Sequence, residues 1–313
     1  MPDRTRFFSP SQVAELLPWD SLIQAIETVV LEEGAFSPAR TVHVVPDGKG
    51  NDAAFLLKPG WVAGDVIAVK AVTFFPDNGE LGLATINAGV LLFSGADGTF
   101  LGACDGNELT TRRTAAASAV AAKRLAREDA KRLLVVGTGA LSPMVAQAHS
   151  AVRDFDVVEV WGRSASKAAV VVDDLRKLGL VASVSSDLDS SVARADVVTC
   201  VTGSTSPLIK GALLLEGSHV DLIGAFTPEM RETDDDVMAG ASIFVDTRDD
   251  GMLAGDLAQP LASGVISPHN ILADLRDLVA GDHPGRASPA ERTLFKSAGF
   301  ALEDVAAARL VFA

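Results

Sequence analysis

The stretch KRLLVVGTGALSP, residues 131–143, determines the interpretation of this chain. Its apolar run predicts a buried strand, its two glycines a tight turn, and the apolar-periodic segment that follows a helix. Glycines let the backbone approach a pyrophosphate closely, and the first turn of the helix offers unpaired N–H groups. The stretch therefore predicts a dinucleotide site rather than an ordinary strand-to-helix loop. The expected cofactor-binding residues of the turn are Gly137, Thr138, Gly139, Ala140 and Leu141.

The second expected strand, at 157–161, bears on the choice of cofactor. NAD-binding sites of this type usually place an acidic residue about 20 residues past the glycines to bind the ribose 2′-hydroxyl. Here Arg163 stands there, followed by Ser164 and Lys167, which suits a 2′-phosphate unless these residues only begin a solvated helix. We predict NADP(H) over NAD(H), with further cofactor contacts from Thr202 and Ser204 after the strand at 197–201.

Alternation of strands and helices predicts an α/β fold built on a doubly wound parallel sheet. This dinucleotide-binding domain is expected over residues 129–286. Before it, β-rich runs between 41 and 104 and an alanine-rich helix at 108–126 predict an antiparallel α+β unit. A last helix, at 289–310, is expected to return to that unit. Residues 1–128 and 287–313 would then form the substrate-binding and dimerisation domain.

Composition excludes several classes of function. A net charge of −14 argues against nucleic acid or an anionic membrane as a partner. The N-terminal residues lack the apolar core of a signal peptide, and two cysteines make neither a disulfide framework nor a metal cluster, so we expect a cytoplasmic protein. The five histidines show no metal-ligand spacing. Because the chain has no tyrosine, a Tyr–Lys dehydrogenase mechanism is excluded, and any acid or base must be Lys, His or a carboxyl group.

Several further stretches carry a resemblance to a known family: LTTRRTAA at 109–116 followed by GTGALS, DLIGAFTPEMRE at 221–232, and LFKSAG at 294–299. Together they resemble the ornithine cyclodeaminase/μ-crystallin family over about residues 8–312. The resemblance implies a homodimer that pairs through its N-terminal β domain. It also implies an active site between that domain and the nicotinamide, used for small amino acids or cyclic imino acids.

The resemblance extends to individual site residues. A guanidinium and an ammonium are suited to hold a substrate carboxylate. By position, Arg40, Lys70 and Arg113 match the carboxylate-binding residues of the family, and Lys70 is also the first candidate for a proton donor. Lys70 interrupts an apolar strand, VIAVKAVTFF, where an unpaired charge would be costly. The remaining expected site residues are Thr85 and Ser297 at the substrate and Asp256 as a catalytic carboxylate near the nicotinamide.

One departure from the family pattern bears on the chemistry. Cyclodeaminases carry an aspartate at the position of Phe226, and phenylalanine cannot act as a base. The pattern is closer to the Δ1-pyrroline-2-carboxylate (ketimine) reductases. It therefore predicts NAD(P)H-dependent reduction of Δ1-pyrroline-2-carboxylate, Δ1-piperideine-2-carboxylate or both, to L-proline and L-pipecolate. The alternatives are an ornithine cyclodeaminase, an alanine or opine-type amino-acid dehydrogenase, and a non-enzymatic protein that binds NADPH and a small ligand.

Overall fold

A computed structural model describes residues 5–46 and 52–313 of the chain. They form two compact units. Unit 1 contains the described residues up to Arg113 together with residues 300–313, and unit 2 contains residues 114–299. Within the described ranges, no helix combines the length and apolarity needed to cross a membrane.

The helices and strands are named here in chain order. The first half of the chain forms β1 (Arg6–Phe8), α1 (Pro10–Leu16), α2 (Trp19–Leu31), β2 (Ala35–Phe36), β3 (Thr41–Pro46), β4 (Asp52–Val62), β5 (Val66–Phe74), β6 (Ile86–Ser94), β7 (Phe100–Asp105) and α3 (Gly106–Leu125). The second half forms β8 (Arg132–Val136), α4 (Leu141–Ser150), β9 (Val157–Trp161), α5 (Ala165–Lys177), β10 (Ala182–Val184), α6 (Leu188–Val192), β11 (Val197–Cys200), β12 (His219–Leu222), α7 (Asp235–Gly240), β13 (Ser242–Val245), α8 (Arg248–Gly251), α9 (Gly255–Ser263), β14 (Ile271–Asp274), α10 (Leu275–Ala280), β15 (Thr293–Lys296) and α11 (Ala301–Phe312). Three short 3₁₀ helices cover Pro76–Leu81, Gly211–Leu213 and Pro268–Asn270.

Unit 1 is built on a seven-stranded sheet with the order β1-β7-β6-β5-β4-β2, in which β3 also pairs with β4. The long hairpins from β4 to β7 are antiparallel, as the sequence predicts. The exception is β1, which pairs with β7 in parallel. This is possible because β1 and β7 are far apart in the chain, whereas neighbouring strands joined by tight turns must run antiparallel.

Helix α11 packs against α2, β4 and β5 and completes the core of unit 1. Its approach to the sheet is close at Gly60, where an added Cβ would lie 2.9 Å from the Cβ of Ala301. Eight of its residues are apolar and buried, and two are buried acids, Glu303 and Asp304. Burial of acidic side chains is rare without partners, so α11 must present them to cations.

Unit 2 contains an eight-stranded, wholly parallel sheet with the order β10-β9-β8-β11-β12-β15-β13-β14. From β8 the chain proceeds outward through β9 and β10 and then returns to the other side of β8 with β11. The order of strands therefore reverses between β8 and β11, which is where open α/β sheets bind their ligands. The sheet matches the predicted doubly wound, Rossmann-type fold.

The C-terminal part of the chain differs from the expected arrangement. The predicted helix at 289–310 is wrong: β15 occupies its first part, between β12 and β13, and the helix begins only at Ala301. Gly299, with φ +76°, separates β15 from α11, because a residue with a left-handed backbone cannot continue a helix. Residues 287–299 consequently belong to unit 2, and the other division falls within α3 rather than at 128. The sequence-based prediction also missed β14.

Candidate functional site

A cavity of about 540 Å³ lies in unit 2 at the carboxyl ends of its central strands. Its walls come from the loops that follow β8, β9 and β11, the strands on both sides of the point where the strand order reverses. The cavity is large enough for part of a dinucleotide. The residues that line it are Gly137, Thr138, Gly139, Trp161, Gly162, Arg163, Ser164, Lys167, Val201, Thr202, Gly203, Ser204, Thr205, Ser206 and Leu208.

Gly137 shows why this turn needs glycine. Its φ is +132°, and an added Cβ would lie 2.8 Å from the carbonyl oxygen of Val201. Its N–H donates to the carbonyl of Trp161 at 2.8 Å. The turn then enters α4 through Ala140, whose side chain has no oxygen to cap the first N–H groups of the helix. These groups suit the phosphates of a dinucleotide, so the residues present fit the predicted cofactor.

Eight of the ten predicted cofactor residues line this cavity. They come from three separate segments of the chain: Gly137, Thr138, Gly139, Arg163, Ser164, Lys167, Thr202 and Ser204. All ten lie within the described ranges, and Ala140 and Leu141, which begin α4, are not part of the lining. Their roles in cofactor binding stay predictions.

Glu232 organises one wall of the cavity, and the sequence analysis assigned it no role. It is completely buried, and its Oε1 accepts from the N–H and the hydroxyl of Thr202 at 2.7 and 2.8 Å. Its Oε2 accepts from the N–H of Gly224 at 2.9 Å. Glu232 therefore holds two loops through one carboxylate. The only available signal was its position at the end of the DLIGAFTPEMRE stretch.

Asp256, expected as a catalytic carboxylate near the nicotinamide, is also completely buried. Its Oδ1 accepts from the backbone N–H of Glu232 at 2.7 Å, and Lys296 donates to its Oδ2 at 3.2 Å. Burial, followed by the charge of Asp256, raises the pKa of Glu232 to about 7. Asp256, Glu232 and Lys296 thus form a closed network in the interior of unit 2, for which the geometry favours a structural role.

Ser297 lies in unit 2 as well and is 2 % exposed. Its hydroxyl donates to Oδ2 of Asp246 at 3.2 Å, and the N–H of Ala298 donates to the same oxygen at 2.6 Å. This arrangement holds the chain as it leaves β15. The expected contact of Ser297 with substrate therefore has no support in the geometry.

The predicted carboxylate-binding residues of unit 1 converge at Asp304. Lys70 on β5 donates to Oδ1 of Asp304 at 2.7 Å, and Nε of Arg113 on α3 lies 2.8 Å from the same oxygen. Arg113 also donates to Glu303. Lys70 is 1 % exposed and Arg113 4 % exposed. Two cations and two acids from three elements are thus fixed in one buried cluster.

Burial and the neighbouring Arg113 lower the pKa of Lys70 to about 7, against the opposing effect of Asp304. The charges of Arg113 and Lys70 hold the pKa of Asp304 below its ordinary value, although burial alone would raise it. Lys70 is therefore able to carry or release a proton near neutral pH while Asp304 stays charged. A group with these properties is suited to general acid–base chemistry.

Lys58 is a member of this cluster that the sequence analysis missed. It lies on β4 directly opposite Lys70 on β5, and it is 8 % exposed. Burial and the charge of Arg113 lower the pKa of Lys58, and the charge of Arg40 contributes to the same effect. Arg40, half-buried ahead of β3, therefore lies near the cluster, as the resemblance implies.

Two further residues complete the comparison with the expected site. Thr85 is half-buried in the loop before β6, where its carbonyl accepts from the N–H of Phe75 at 2.8 Å. Phe226 is 44 % exposed in unit 2, so this side chain is not part of the core. Among the residues that the structure describes, no three His, Cys, Asp or Glu side chains are grouped to hold a metal ion.

Comparison with known proteins provides context for these features. A Δ1-pyrroline-2-carboxylate reductase from Colwellia psychrerythraea is 33% identical over 98% of this chain and 98% of its own. The solved Δ1-pyrroline-2-carboxylate reductase of Thermococcus litoralis, in complex with NADH and L-proline, superposes with a TM-score of 0.92 at 30% identity, covering 98% of this chain and 96% of its own.

An archaeal alanine dehydrogenase, solved as a dimer with bound NAD, gives a TM-score of 0.90 at 28% identity and covers 98% of this chain and 95% of its own. The family model described as ornithine cyclodeaminase/mu-crystallin matches residues 4–313. With relatives above 30% identity over nearly its whole length, this chain belongs to the ornithine cyclodeaminase/mu-crystallin family.

Proposed function

We propose that this protein reduces a cyclic imino acid, Δ1-pyrroline-2-carboxylate or Δ1-piperideine-2-carboxylate, to L-proline or L-pipecolate with a nicotinamide cofactor. The observation that carries the proposal is the convergence of Lys70 and Arg113 on Asp304 in unit 1. The fixed guanidinium is suited to bind the carboxylate of this substrate. The ammonium, which titrates near neutral pH, is suited to donate a proton to its nitrogen. The relatives from Colwellia and Thermococcus carry this activity in their names.

In the proposed mechanism, Arg113 binds the substrate carboxylate, with Arg40 as a second cation. A bound nicotinamide would supply the hydride for the imine carbon. The electron pair of the C=N bond moves to nitrogen, and Lys70 donates the proton that completes the amine. Asp304 fixes the direction of the Lys70 ammonium through the 2.7 Å hydrogen bond. Lys70 then regains a proton from solvent, which is possible at neutral pH because its pKa is about 7.

Phe226 supports a reductase over a cyclodeaminase. Its phenyl ring occupies the sequence position of the aspartate of cyclodeaminases, and it can neither take up a proton nor bind an ammonium group. An alanine dehydrogenase uses the same carboxylate grip but needs free ammonia. The assay described next separates these activities.

The decisive experiment follows NADPH absorbance with the purified protein. Δ1-pyrroline-2-carboxylate, Δ1-piperideine-2-carboxylate, and pyruvate with ammonia are offered in parallel. We expect rapid oxidation with a cyclic imine and formation of proline or pipecolate. Oxidation with pyruvate and ammonia alone would instead identify an open-chain amino-acid dehydrogenase. Tight NADPH binding without any turnover would identify a binding protein.

For the cofactor, we propose a preference for NADPH over NADH. Arg163, Ser164 and Lys167 support it, since all three line the cavity next to the glycine turn. Replacement of Arg163 by alanine should weaken the binding of NADPH by about 10-fold to 100-fold, which corresponds to the loss of hydrogen bonds to a charged group. The binding of NADH should remain almost unchanged. Equal efficiency of the wild-type enzyme with NADH would exclude the preference.

We also propose a homodimer that pairs through unit 1. Strand β3 supports this, because Thr41, Val42, His43 and Val44 are exposed on both faces of the strand. Val42 and Val44 are exposed apolar side chains on the same face of the strand, and neighbouring exposed apolar side chains mark an interaction surface. Val44→Asp should shift the protein from dimer to monomer in sedimentation experiments, whereas a monomeric wild-type protein would contradict the proposal.

A further inference from the structure

Lys58 is the feature of the cluster that the proposed function leaves unused. In the register of the sheet it pairs with Lys70, one strand away. Residues that face each other on antiparallel strands project from the same face of the sheet. Two lysines in this relation repel each other, and they do so more strongly when both are removed from water.

Several elements around Lys70 contribute charge to the cluster. Helix α11 brings Glu303 and Asp304, α3 brings Arg113, β4 brings Lys58, and Arg40 precedes β3. Cys104 on β7 adds no charge, because burial raises the pKa of its thiol to about 12. Asp304 favours the ammonium form of Lys70, whereas Arg113 and Lys58 oppose it.

We propose that Lys58 is a positioning residue for Lys70: its charge on the same face of the sheet disfavours a second ammonium there and so makes Lys70 a ready proton donor to the substrate nitrogen. The inference rests on the proposed function, since it assumes that Lys70 protonates an imine. In each reduction the proton leaves Nζ of Lys70 for the nitrogen that receives the electron pair of the C=N bond, and the hydride for carbon would come from the bound cofactor. Lys58 is not the proton donor in this step.

The test compares pH profiles. In imine reduction Lys70 must be protonated, so kcat/KM declines as pH rises through its pKa; in the oxidation of L-proline it must be neutral, so kcat/KM rises there. Lys58→Met removes the charge and keeps the length of the side chain. We expect Lys58→Met to shift the midpoints of both pH profiles, the limbs, to higher pH by on the order of one pH unit. Lys58→Arg keeps the charge and should leave both limbs in place.

Lys177→Met is the matched control. It removes one positive charge from an exposed position on α5, in unit 2, and should leave both limbs unchanged. Limbs that coincide in an active, folded Lys58→Met protein and in the wild type would overturn the inference. If Lys58→Met does not fold, Lys58→Gln serves as the neutral variant.

A second readout does not depend on turnover. In protein with ¹³C-labelled lysine, the signal absent from Lys70→Met identifies Lys70, and its chemical shift reports protonation directly. We expect its midpoint to rise in Lys58→Met. An unchanged midpoint overturns the inference even if the wild type reduces no imine, a result that would by itself refute only the proposed function.

Discussion

The two units each bury a cluster of lysine and carboxylate side chains, but the excess charge of the two clusters has opposite sign. In unit 1, Lys58, Lys70 and Arg113 meet Glu303 and Asp304. In unit 2, Lys296 alone meets Glu232 and Asp256. The first cluster is rich in cations and the second in anions.

Titration follows this difference. In unit 1 the pKa of Lys70 falls to about 7, and in unit 2 that of Glu232 rises to about 7, with burial as the leading cause in both. In each cluster the shifted pKa favours the neutral form of one residue, which reduces the excess of positive or negative charge. A pKa near neutrality alone does not identify a catalytic group. What separates Lys70 from Glu232 is their hydrogen bonding: both oxygens of Glu232 are used by backbone and Thr202 donors.

The largest expected effect is on the chemistry of unit 1. Lys70→Ala removes the proposed proton donor and should lower kcat for imine reduction by about 10³-fold, within the range for general acid catalysis. The cavity proposed for the cofactor lies in unit 2, so cofactor binding should persist, which quenching of the fluorescence of Trp161 in the cavity wall would report. A nearly full rate in this variant would remove Lys70 from the mechanism.

The corresponding lysine of unit 2 should affect stability instead. Lys296→Met leaves Asp256 as a buried charge without its cation and should lower the free energy of unfolding by about 3–5 kcal/mol. Chemical denaturation measures the loss, and Asp256→Asn combined with Lys296→Met should recover part of it, because both charges are then absent. If Lys296→Met is as stable as the wild type but inactive, the two lysines do not differ as we describe.

The third prediction concerns pH. Between pH 4.5 and about 7 native Glu232 holds a proton that the unfolded chain has released, so its contribution to stability declines as pH rises through this range. The difference in unfolding free energy between wild type and Glu232→Gln should therefore decrease from about pH 5 to about pH 8, by on the order of 2 kcal/mol.

The difference between the two proteins is needed because other groups titrate nearby. Burial lowers the pKa of His219 to about 3, which gives a slope of the opposite sign below pH 6.5. His219 is present in both proteins, so its effect cancels. A difference that is constant with pH would show that Glu232 is already charged at pH 5.

The sequence predicted the arrangement around the glycine turn of unit 2 better than the buried cluster of unit 1, for a physical reason. The glycine turn and its helix are local, and the loops after successive parallel strands meet at one edge of the sheet by topology. Lys70 was recognisable because a lone lysine interrupts an apolar strand. Lys58 was not, because only the register between β4 and β5 places it opposite Lys70.

Long-range pairing also explains the errors. Strand β15 was assigned to a helix because its four residues carry no period of their own and owe their conformation to the neighbouring strands β12 and β13. Asp256 was expected near the nicotinamide from its position in the family pattern, and its pairing with Lys296 could not be predicted while residue 296 was assigned to that helix. Once β15 is a central strand, Lys296 at its end reaches Asp256 inside unit 2.

The smallest expected effect tests whether Ser297 has a structural role in unit 2 or contacts the substrate. Its hydroxyl donates to Asp246, which also accepts from the N–H of Ala298, so Ser297→Ala removes one of several bonds. We expect a loss of about 1 kcal/mol in unfolding free energy and little change in KM for the imino acid. Asp246→Asn, which weakens every bond to that carboxylate, should cost more. A tenfold rise in KM for Ser297→Ala at unchanged stability would instead restore the hydroxyl to the substrate site, and the interior of unit 2 could no longer be regarded as purely structural.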